Sequence, residues 1–354
     1  MAYTTIDNPE LYFQTQLYTG NANDGSGTTQ AVTLGGSEDM QPDLVWIKSR
    51  SATKSYYFFD VIRGVTKELN TNNQNDENTN AQGLQSFNSD GFTLGHEPEM
   101  NENGTTYCSW NWLAGGSASS NTQGNVTTSV SANTTAGFSV VTYSGNGGAL
   151  TIGHGLGAKP SMIFIKNRTD DGSDWIIGHK DGGGFDNNKF LKFSNASTFT
   201  NSVVFGTAPA TTTLALSTGN ASNISASSKD FVAYCFAGKK GYSKFGKYEG
   251  ASSTDGSFIY TGFKPAFFMA KAIGRSENWY IFDNKRLGYN VENAQLYPDV
   301  NNTEATTDYL DFLSNGVKYR YNSVGLNGTG EEYIYMAFAE NPFVNSNGIP
   351  GLAR

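Results

Sequence analysis

The chain has 354 residues, a formal net charge of −8, 16% charged residues, 13% aromatic residues and 41 glycines. A chain of this length accommodates two or three domains, and its acidic balance argues against the basic surface that nucleic-acid binding requires. No run of about 18 apolar residues is present, so no membrane insertion is predicted, and residues 1–6 lack the pattern of a signal peptide. Abundant glycine and aromatic residues favour an all-β class of short strands joined by turns.

One short pattern occurs three times along the chain. A lysine follows a proline by six residues in Pro42–Lys48, Pro160–Lys166 and Pro265–Lys271, with an apolar run between them. Such a run predicts a largely buried strand. Proline is expected at the first residue of the strand, where its missing N–H does no harm. The lysine is expected to mark the return of the strand to water, because its long stem can cover apolar surface while its charge stays outside.

The surroundings of this pattern recur as well. A tyrosine two residues before a glycine precedes each copy, at Tyr18, Tyr143 and Tyr248. A second aromatic or β-branched strand follows each copy, and an aromatic strand closes each unit at 107–112, 231–236 and 333–338. The fixed period predicts three tandem units of roughly 105–125 residues.

These repeats set the expected domain boundaries. Residues 1–116 form a first β-sandwich module with an N-terminal arm, residues 135–240 a second, and residues 241–354 a third with a C-terminal tail; we call them the first, second and third repeat. Residues 117–134 are Gly, Ser, Thr and Asn with almost no bulky side chain, which predicts a flexible or extended linker. The polar tract Asn70–Asn80 is expected to be an exposed loop.

Two further patterns concern local structure. Asp90-Gly91 lies between apolar residues and favours a hairpin with a primed turn, and Asn315-Gly316 repeats the signal in the third repeat. Cys108 and Cys235 fall at non-equivalent positions of the closing strands, so they are expected on opposite faces. Both are predicted to be free thiols formed in a reducing cytoplasm.

The second strand ends in a polar pattern that recurs. Asp60 precedes Arg63, and Asp283 precedes Arg286, by three residues each, whereas the second repeat has His179-Lys180 instead. These four residues are either a polar ligand site or structural ion pairs, and repeat-wide features usually serve the fold, so structural ion pairs are favoured.

Other chemical motifs are sparse. The three histidines are not spaced as metal ligands, and neither a nucleophile elbow nor a phosphate loop is present. The acidic cluster Asp170–Asp174 could hold a cation, but an ordinary turn is favoured because the cluster does not recur. No catalytic, cofactor-binding or metal-binding residue is therefore predicted. The five tryptophans are expected in the core rather than on a sugar-binding surface; they are Trp46, Trp110, Trp112, Trp175 and Trp279.

Taken together, the motifs resemble a triple-repeat family of virion structural, tail-fibre-like proteins of marine tailed bacteriophages. The resemblance is carried by the Tyr-x-Gly and Pro…Lys segments, by the hairpins that follow Phe87 and Phe312, by the closing run 333–340, and by the phrases 1–6 and 241–246. It covers essentially the whole chain. It implies a virion protein with jelly-roll or lectin-like sandwich modules in a pseudo-threefold internal repeat, and it brings no catalytic residues or cofactors.

The leading functional expectation is a non-enzymatic phage surface protein that is tail- or fibre-associated and takes part in host attachment through its loops. The alternative is a capsid decoration or tail-accessory protein that binds no receptor, and a glycan depolymerase is the least favoured. The expected partners are other virion proteins and a host cell-surface glycan or protein, with an oligomeric state in the particle. The protein is expected in the virion after synthesis in the bacterial host cytoplasm. Contacts are expected at three loops that do not recur, 70–80, 170–174 and 289–302, and at the two termini.

Overall fold

The computed structural model describes residues 4–22, 28–182, 185, 189–193, 200–201, 204–217, 224–286, 290 and 292–342. The expectations for residues 1–3, for Tyr289 and for the C-terminal tail beyond residue 342 lie outside the described residues. The fold is all-β, as the composition predicts. The helices of the described ranges are a 3-10 turn at Pro9–Leu11 and two single turns, α1 (Pro98–Asn101) and α2 (Val324–Asn327). None of them is long and apolar enough to cross a bilayer.

The first repeat contains nine strands. A four-stranded antiparallel sheet has the order β1-β9-β3-β4, a three-stranded sheet has the order β2-β8-β7, and β5 pairs with β6. The strands are β1 Phe13–Thr19, β2 Gln30–Val32, β3 Leu44–Ser49, β4 Tyr56–Asp60, β5 Lys67–Glu68, β6 Asn78–Thr79, β7 Leu84–Asn88, β8 Gly91–Leu94 and β9 Thr106–Trp112.

The second repeat is built around one larger sheet of order β10-β11-β12-β19-β14-β15-β16-β17, with β13 paired to β18. The strands are β10 Ser119–Asn121, β11 Thr128–Asn133, β12 Phe138–Ser144, β13 Leu150–Gly153, β14 Met162–Asn167, β15 Ile176–His179, β16 Lys189–Lys192, β17 Thr200–Asn201, β18 Thr213–Leu216 and β19 Asp230–Phe236.

The prediction of a flexible or extended linker at 117–134 is wrong, because β10 and β11 lie within it. The strand β11 pairs with β12 from Ser129 opposite Thr142 to Asn133 opposite Phe138. Pairing with β12 satisfies the backbone groups of this small-residue segment, and Val130 adds a buried apolar side chain. The composition of a segment does not show whether a neighbouring strand has an open edge with which the segment can pair.

The third repeat consists of two four-stranded sheets, β20-β27-β22-β23 and β21-β26-β25-β24. The strands are β20 Ser243–Glu249, β21 Phe258–Tyr260, β22 Phe263–Ala272, β23 Trp279–Asp283, β24 Glu292–Gln295, β25 Ala305–Leu313, β26 Gly316–Tyr319 and β27 Glu332–Pro342.

The Pro…Lys strands β3, β14 and β22 take the same place in each repeat. Each lies between the closing strand and the second aromatic strand, in the orders β1-β9-β3-β4, β12-β19-β14-β15 and β20-β27-β22-β23. The prolines differ from expectation: Pro42 and Pro160 stand two residues before their strands, and Pro265 lies inside β22 at a register shift. An irregularity in pairing accommodates a residue that lacks an N–H.

Each of these strands is buried on both faces, which explains its continuous apolar run. In β3, Leu44 and Trp46 join a central cluster, whereas Val45 and Ile47 join an outer one. The central cluster draws side chains from all three repeats, including Phe13, Phe236 and Phe338. Each repeat also has its own outer cluster, formed against the second sheet on the other face.

Two predictions about the core are confirmed. All five tryptophans are buried at 2% exposure or less. Cys108 and Cys235 are free thiols, and they face opposite sides, since Cys108 lies in the central cluster and Cys235 in the outer cluster of the second repeat.

Both predicted hairpins form, but their turns are not primed. Asn88 pairs with Gly91 across Ser89 and Asp90, and the described positive φ in this turn is that of Gly91, at 105°. A positive φ at the glycine alone is typical of a type I turn followed by a bulge, whereas a primed turn needs a positive φ before the glycine. A Cβ on Gly91 would lie 2.0 Å from the carbonyl oxygen of Val32, and one on Gly316 would lie 2.2 Å from that of Ile259. Glycine is therefore required in both hairpins by the close approach of a third strand.

Candidate functional site: the junctions between repeats

The lysine that ends each Pro…Lys segment does not return to water. Lys48, Lys166 and Lys271 are each 0% exposed. The Lys48 ammonium donates to the carbonyl oxygens of Lys54 at 2.8 Å and of Asn301, in the third repeat, at 3.3 Å. Burial lowers the pKa of Lys48 to about 7 and the pKa of Lys166 and Lys271 to about 8. The expectation of a surface lysine is wrong because backbone carbonyl groups replace water around the ammonium.

The first junction joins the second repeat to the first through a buried polar network. Asp60 accepts hydrogen bonds from Arg63 Nε at 2.5 Å and from Tyr234 of the second repeat at 2.7 Å. Arg63 also contacts Glu77 at 3.2 Å, and Glu77 receives two hydrogen bonds from Arg168, at 2.8 and 2.9 Å. The side chains of Asp60 and Arg63 are 0% exposed. Burial disfavours the guanidinium, but Asp60, Tyr234 and Glu77 together outweigh this effect and raise the pKa of Arg63.

The second junction, between the first and third repeats, repeats this network. Asp283 accepts from Arg286 Nε at 2.6 Å and from Trp110 of the first repeat at 3.0 Å. Arg286 contacts Glu304 at 3.2 Å, and Glu304 receives two hydrogen bonds from Arg50, at 3.0 and 2.8 Å. The four residues singled out in sequence thus lie in two buried ion pairs, and each aspartate also holds the closing strand of another repeat.

The third junction, between the third and second repeats, explains why the second repeat departs from the Asp-x-x-Arg pattern. The closing-strand residue equivalent to Tyr234 and Trp110 is Met336, which has no strong donor. His179 stands where the aspartates stand, and its Nε2 lies 3.2 Å from the carbonyl oxygen of Tyr335. A histidine that donates to the backbone therefore replaces an aspartate that would have found no side-chain donor.

His179 is held neutral, which makes the stability of the protein acid-sensitive. Burial lowers the pKa of His179 to about 4, although Asp181 nearby raises it, and its Nδ1 accepts from the Asp181 N–H at 3.2 Å. Between pH 6.5 and 4 the unfolded state binds a proton that the folded state does not, so stability falls as pH falls through this window. We expect a loss of about 2 to 3 kcal/mol at pH 4.5, relative to a His179→Gln variant that keeps an amide donor.

Urea unfolding of both proteins at pH 7.5 and pH 4.5 measures this difference, since the carboxylates and the other histidines are common to both. Equal losses in the wild type and in His179→Gln would contradict a neutral, buried His179.

The sequence missed the two glutamates that complete the networks. Glu77 and Glu304 each stand eight residues after a leucine that pairs with the second aromatic strand, Leu69 and Leu296. Their recurrence is hidden in the sequence because the two glutamates lie at different distances from Asp60 and Asp283. The arginines of the networks do show a recurring position in the sequence: Arg50 and Arg168 each follow the lysine of a Pro…Lys segment by two residues.

The tract Asn70–Asn80 is consequently not a free loop. The Lys166 ammonium donates to the carbonyl oxygen of Gln74 at 3.0 Å, and the Trp175 indole donates to that of Asn70 at 2.6 Å. Several polar side chains of the tract are exposed, but its backbone is attached to the second repeat. The tract is polar because it covers a junction and not because it is unpacked.

The acidic loop Asp170–Asp174 is likewise held by contacts with protein groups. Asp170 pairs with Lys229 and Asp174 pairs with Lys192, while Asp171 is exposed. Within the described ranges, no group of three or more His, Cys, Asp and Glu side chains is arranged to hold a metal ion.

Next to each of the first two junctions lies an open cleft. The first, of about 650 Å³, is lined by Ser55, Tyr57, Glu68, Asn70, Asn73, Asn75, Asp76, Asn78, Glu99 and Asp171. The second, of about 350 Å³, is lined by Thr53, Asn278, Tyr297, Asn302, Thr303 and Ala305. Both volumes fall in the range of small-ligand sites.

The two clefts are built from equivalent positions. Asp171 and Thr53 each follow a buried lysine by five residues, and Asn75 and Asn302 each precede a junction glutamate by two. All six lining positions of the second cleft have a counterpart in the first. The pairs are Ser55 with Asn278, Asn70 with Tyr297, Asn75 with Asn302, Asp76 with Thr303, Asn78 with Ala305, and Asp171 with Thr53.

A buried carboxylate lies at the base of the first cleft. Glu68 is 8% exposed; its Oε1 accepts from Asn78 at 2.7 Å, and its Oε2 is buried with no hydrogen-bond partner among the described residues. Burial raises the pKa of Glu68, although the side-chain amides of Asn78 and Asn80 oppose the shift. An orphaned buried oxygen is costly unless something donates to it, so the Glu68 carboxylate keeps unused acceptor capacity in the wall of the cleft.

A family model described as a domain of unknown function (DUF7483) matches residues 8–342, so a single model covers all three repeats. No curated protein matches the chain, and no solved structure does.

Proposed function

Because the chain belongs to the DUF7483 family of domains of unknown function, which brings no activity with it, we propose from its geometry that it is a non-enzymatic surface protein of a tailed bacteriophage. It is attached to the tail or its fibres and takes part in host attachment. Its units are three β-sandwiches of jelly-roll or lectin-like type, arranged with pseudo-threefold symmetry. Support for the symmetry comes from the four-strand order that the main sheet of each repeat contains, with a second sheet packed on its outer face.

The observation that carries this proposal is the central cluster shared by all three repeats. Two of the three junctions are further linked by buried ion networks, through Glu77 and Glu304. Repeats fixed in this way cannot rotate against one another, so the surface at each junction keeps one geometry. Pre-organised surfaces lower the entropic cost of binding, and this property suits a protein whose function is to bind a partner.

The alternative, a capsid decoration or tail-accessory protein, is favoured by a different observation. Phe258 and Tyr260 are 46% and 49% exposed on the edge strand β21. Exposed aromatic side chains on a strand with a free edge are typical of protein interfaces. This edge is the expected contact with a neighbouring virion protein or with another copy of the chain.

Antibody fragments raised against the purified protein test these assignments. Labelled particles are viewed by electron microscopy, and adsorption to host cells and particle stability are measured separately with the fragments bound. Label on the tail together with reduced adsorption supports attachment. Label on the capsid with normal adsorption supports decoration instead. Particles that take no label would overturn both, and glycan cleavage by the purified protein would overturn the non-enzymatic assignment.

A further inference from the structure

The two junction clefts share hydrogen-bonding groups but do not share charge. Glu68, Asp76, Glu99 and Asp171 line the first cleft. The described residues that line the second include no carboxylate. At three of the six shared positions both clefts carry a side-chain amide or hydroxyl group: Ser55 with Asn278, Asn70 with Tyr297, and Asn75 with Asn302. Amides both donate and accept, and hydroxyls do the same. The ligand chemistry that both clefts fit is therefore a set of hydroxyl groups and not a cation.

We propose that the first cleft binds a non-acidic glycan, and that the second cleft is a weaker copy of the same site. A polyhydroxylated ligand offers donors for the exposed carboxylates of Asp76 and Asp171 and acceptors for the asparagine amides that line the cleft. The four carboxylates exclude sulfated and uronate sugars by like-charge repulsion and favour neutral or amine-bearing ones. The second cleft binds more weakly because it is smaller and is lined by fewer polar side chains.

The position of the clefts gives the site its rigidity. The first is lined by side chains of two repeats, with Asp171 from the second and the other lining residues from the first. The backbone on both sides is fixed by the junction, since the Glu77 N–H donates to the carbonyl oxygen of Arg168 at 2.9 Å and the Glu304 N–H donates to that of Arg50 at 2.8 Å. Polar groups held at fixed positions are what recognition of a hydroxylated ligand requires.

A glycan array of neutral, amine-bearing, uronate and sulfated oligosaccharides, probed with the purified full-length protein, tests the site. The variant Asn75→Ala/Asp171→Ala removes two exposed groups of the first cleft and is expected to fold normally. The matched control is Asn341→Ala/Asp39→Ala, which removes one exposed asparagine and one exposed aspartate elsewhere. Calorimetry on the best array glycan then measures affinity and stoichiometry.

We expect binding of a neutral or amine-bearing glycan, an affinity loss of about tenfold or more in the first-cleft variant, and an unchanged control. Asn302→Ala/Thr303→Ala is expected to remove the weaker second binding event alone. Binding restricted to acidic glycans, equal losses in the control, or capture of a lysine-rich peptide in preference to every glycan would each overturn the assignment.

Glycan binding by the cleft does not depend on the proposed function. Only the interpretation that this glycan is a phage receptor rests on it. If the purified protein binds glycan through the cleft but the antibody fragments label no particle, the binding site stands and the virion role fails. If the fragments block adsorption while the cleft variants bind like the wild type, attachment stands and the cleft assignment fails.

Discussion

Replacing Phe338 by alanine is expected to destabilise the whole chain by about 3 to 5 kcal/mol. Phe338 is 1% exposed, and its ring contacts aromatic rings of all three repeats. These are Phe13 at 5.2 Å, Trp112 at 5.7 Å, Phe236 at 6.1 Å and Phe267 at 6.2 Å between ring centroids. A cavity at this position removes packing from every repeat at once.

The measurement is urea unfolding followed by hydrogen exchange on each repeat. A single transition that shifts as a unit is expected in both proteins, because the repeats share one cluster. Independent tandem modules would behave differently: Phe338→Ala would then unfold the third repeat while the first and second kept their protection, and this outcome would contradict the shared core. Phe258→Ala, at an exposed ring, is the control and is expected to change stability by about 0.5 kcal/mol or less.

Replacing Arg63 by methionine is expected to cost about 3 to 5 kcal/mol, because it leaves the buried carboxylate of Asp60 without its cation. The arginine also donates to the carbonyl oxygen of Phe58 at 2.9 Å and contacts Glu77, so the first junction loses several contacts together. Methionine keeps much of the side-chain volume, and the loss is therefore electrostatic rather than steric.

Chemical denaturation measures this cost against a surface pair of the same type. Lys247 and Glu332 form an ion pair whose side chains are 49% and 48% exposed, so Lys247→Met is expected to change stability by about 1 kcal/mol or less. Similar costs for the two substitutions would show that the Asp60–Arg63 pair is not a buried network.

Many of the strands were predictable from local patterns. Apolar runs with β-branched and aromatic residues indicated strands such as β3, β14 and β22, and the same residues are buried on both faces. The Asp-Gly and Asn-Gly pairs placed both hairpins, and the tryptophans were correctly assigned to the core. These features are set by residues close together in the chain, which is why periodicity reveals them.

The candidate site was much less predictable. The Asp-x-x-Arg pairs were visible because three residues separate the partners, but Glu77, Arg168 and the clefts depend on contacts between segments far apart in sequence. The equivalence of 70–78 with 297–305 was hidden by a difference in loop length before it, and by side chains that differ at most of the shared positions.

The sequence by itself therefore determined the all-β class, the threefold recurrence of the strands and the apolar identity of the core, because side-chain pattern dictates which face of a strand leaves water. Only the tertiary structure decided that the recurring lysines are buried, that residues 117–134 contain strands, and that the repeats share one core. An ammonium is buried only where carbonyl oxygens of another segment surround it, and such partners are supplied by the fold rather than by neighbouring residues.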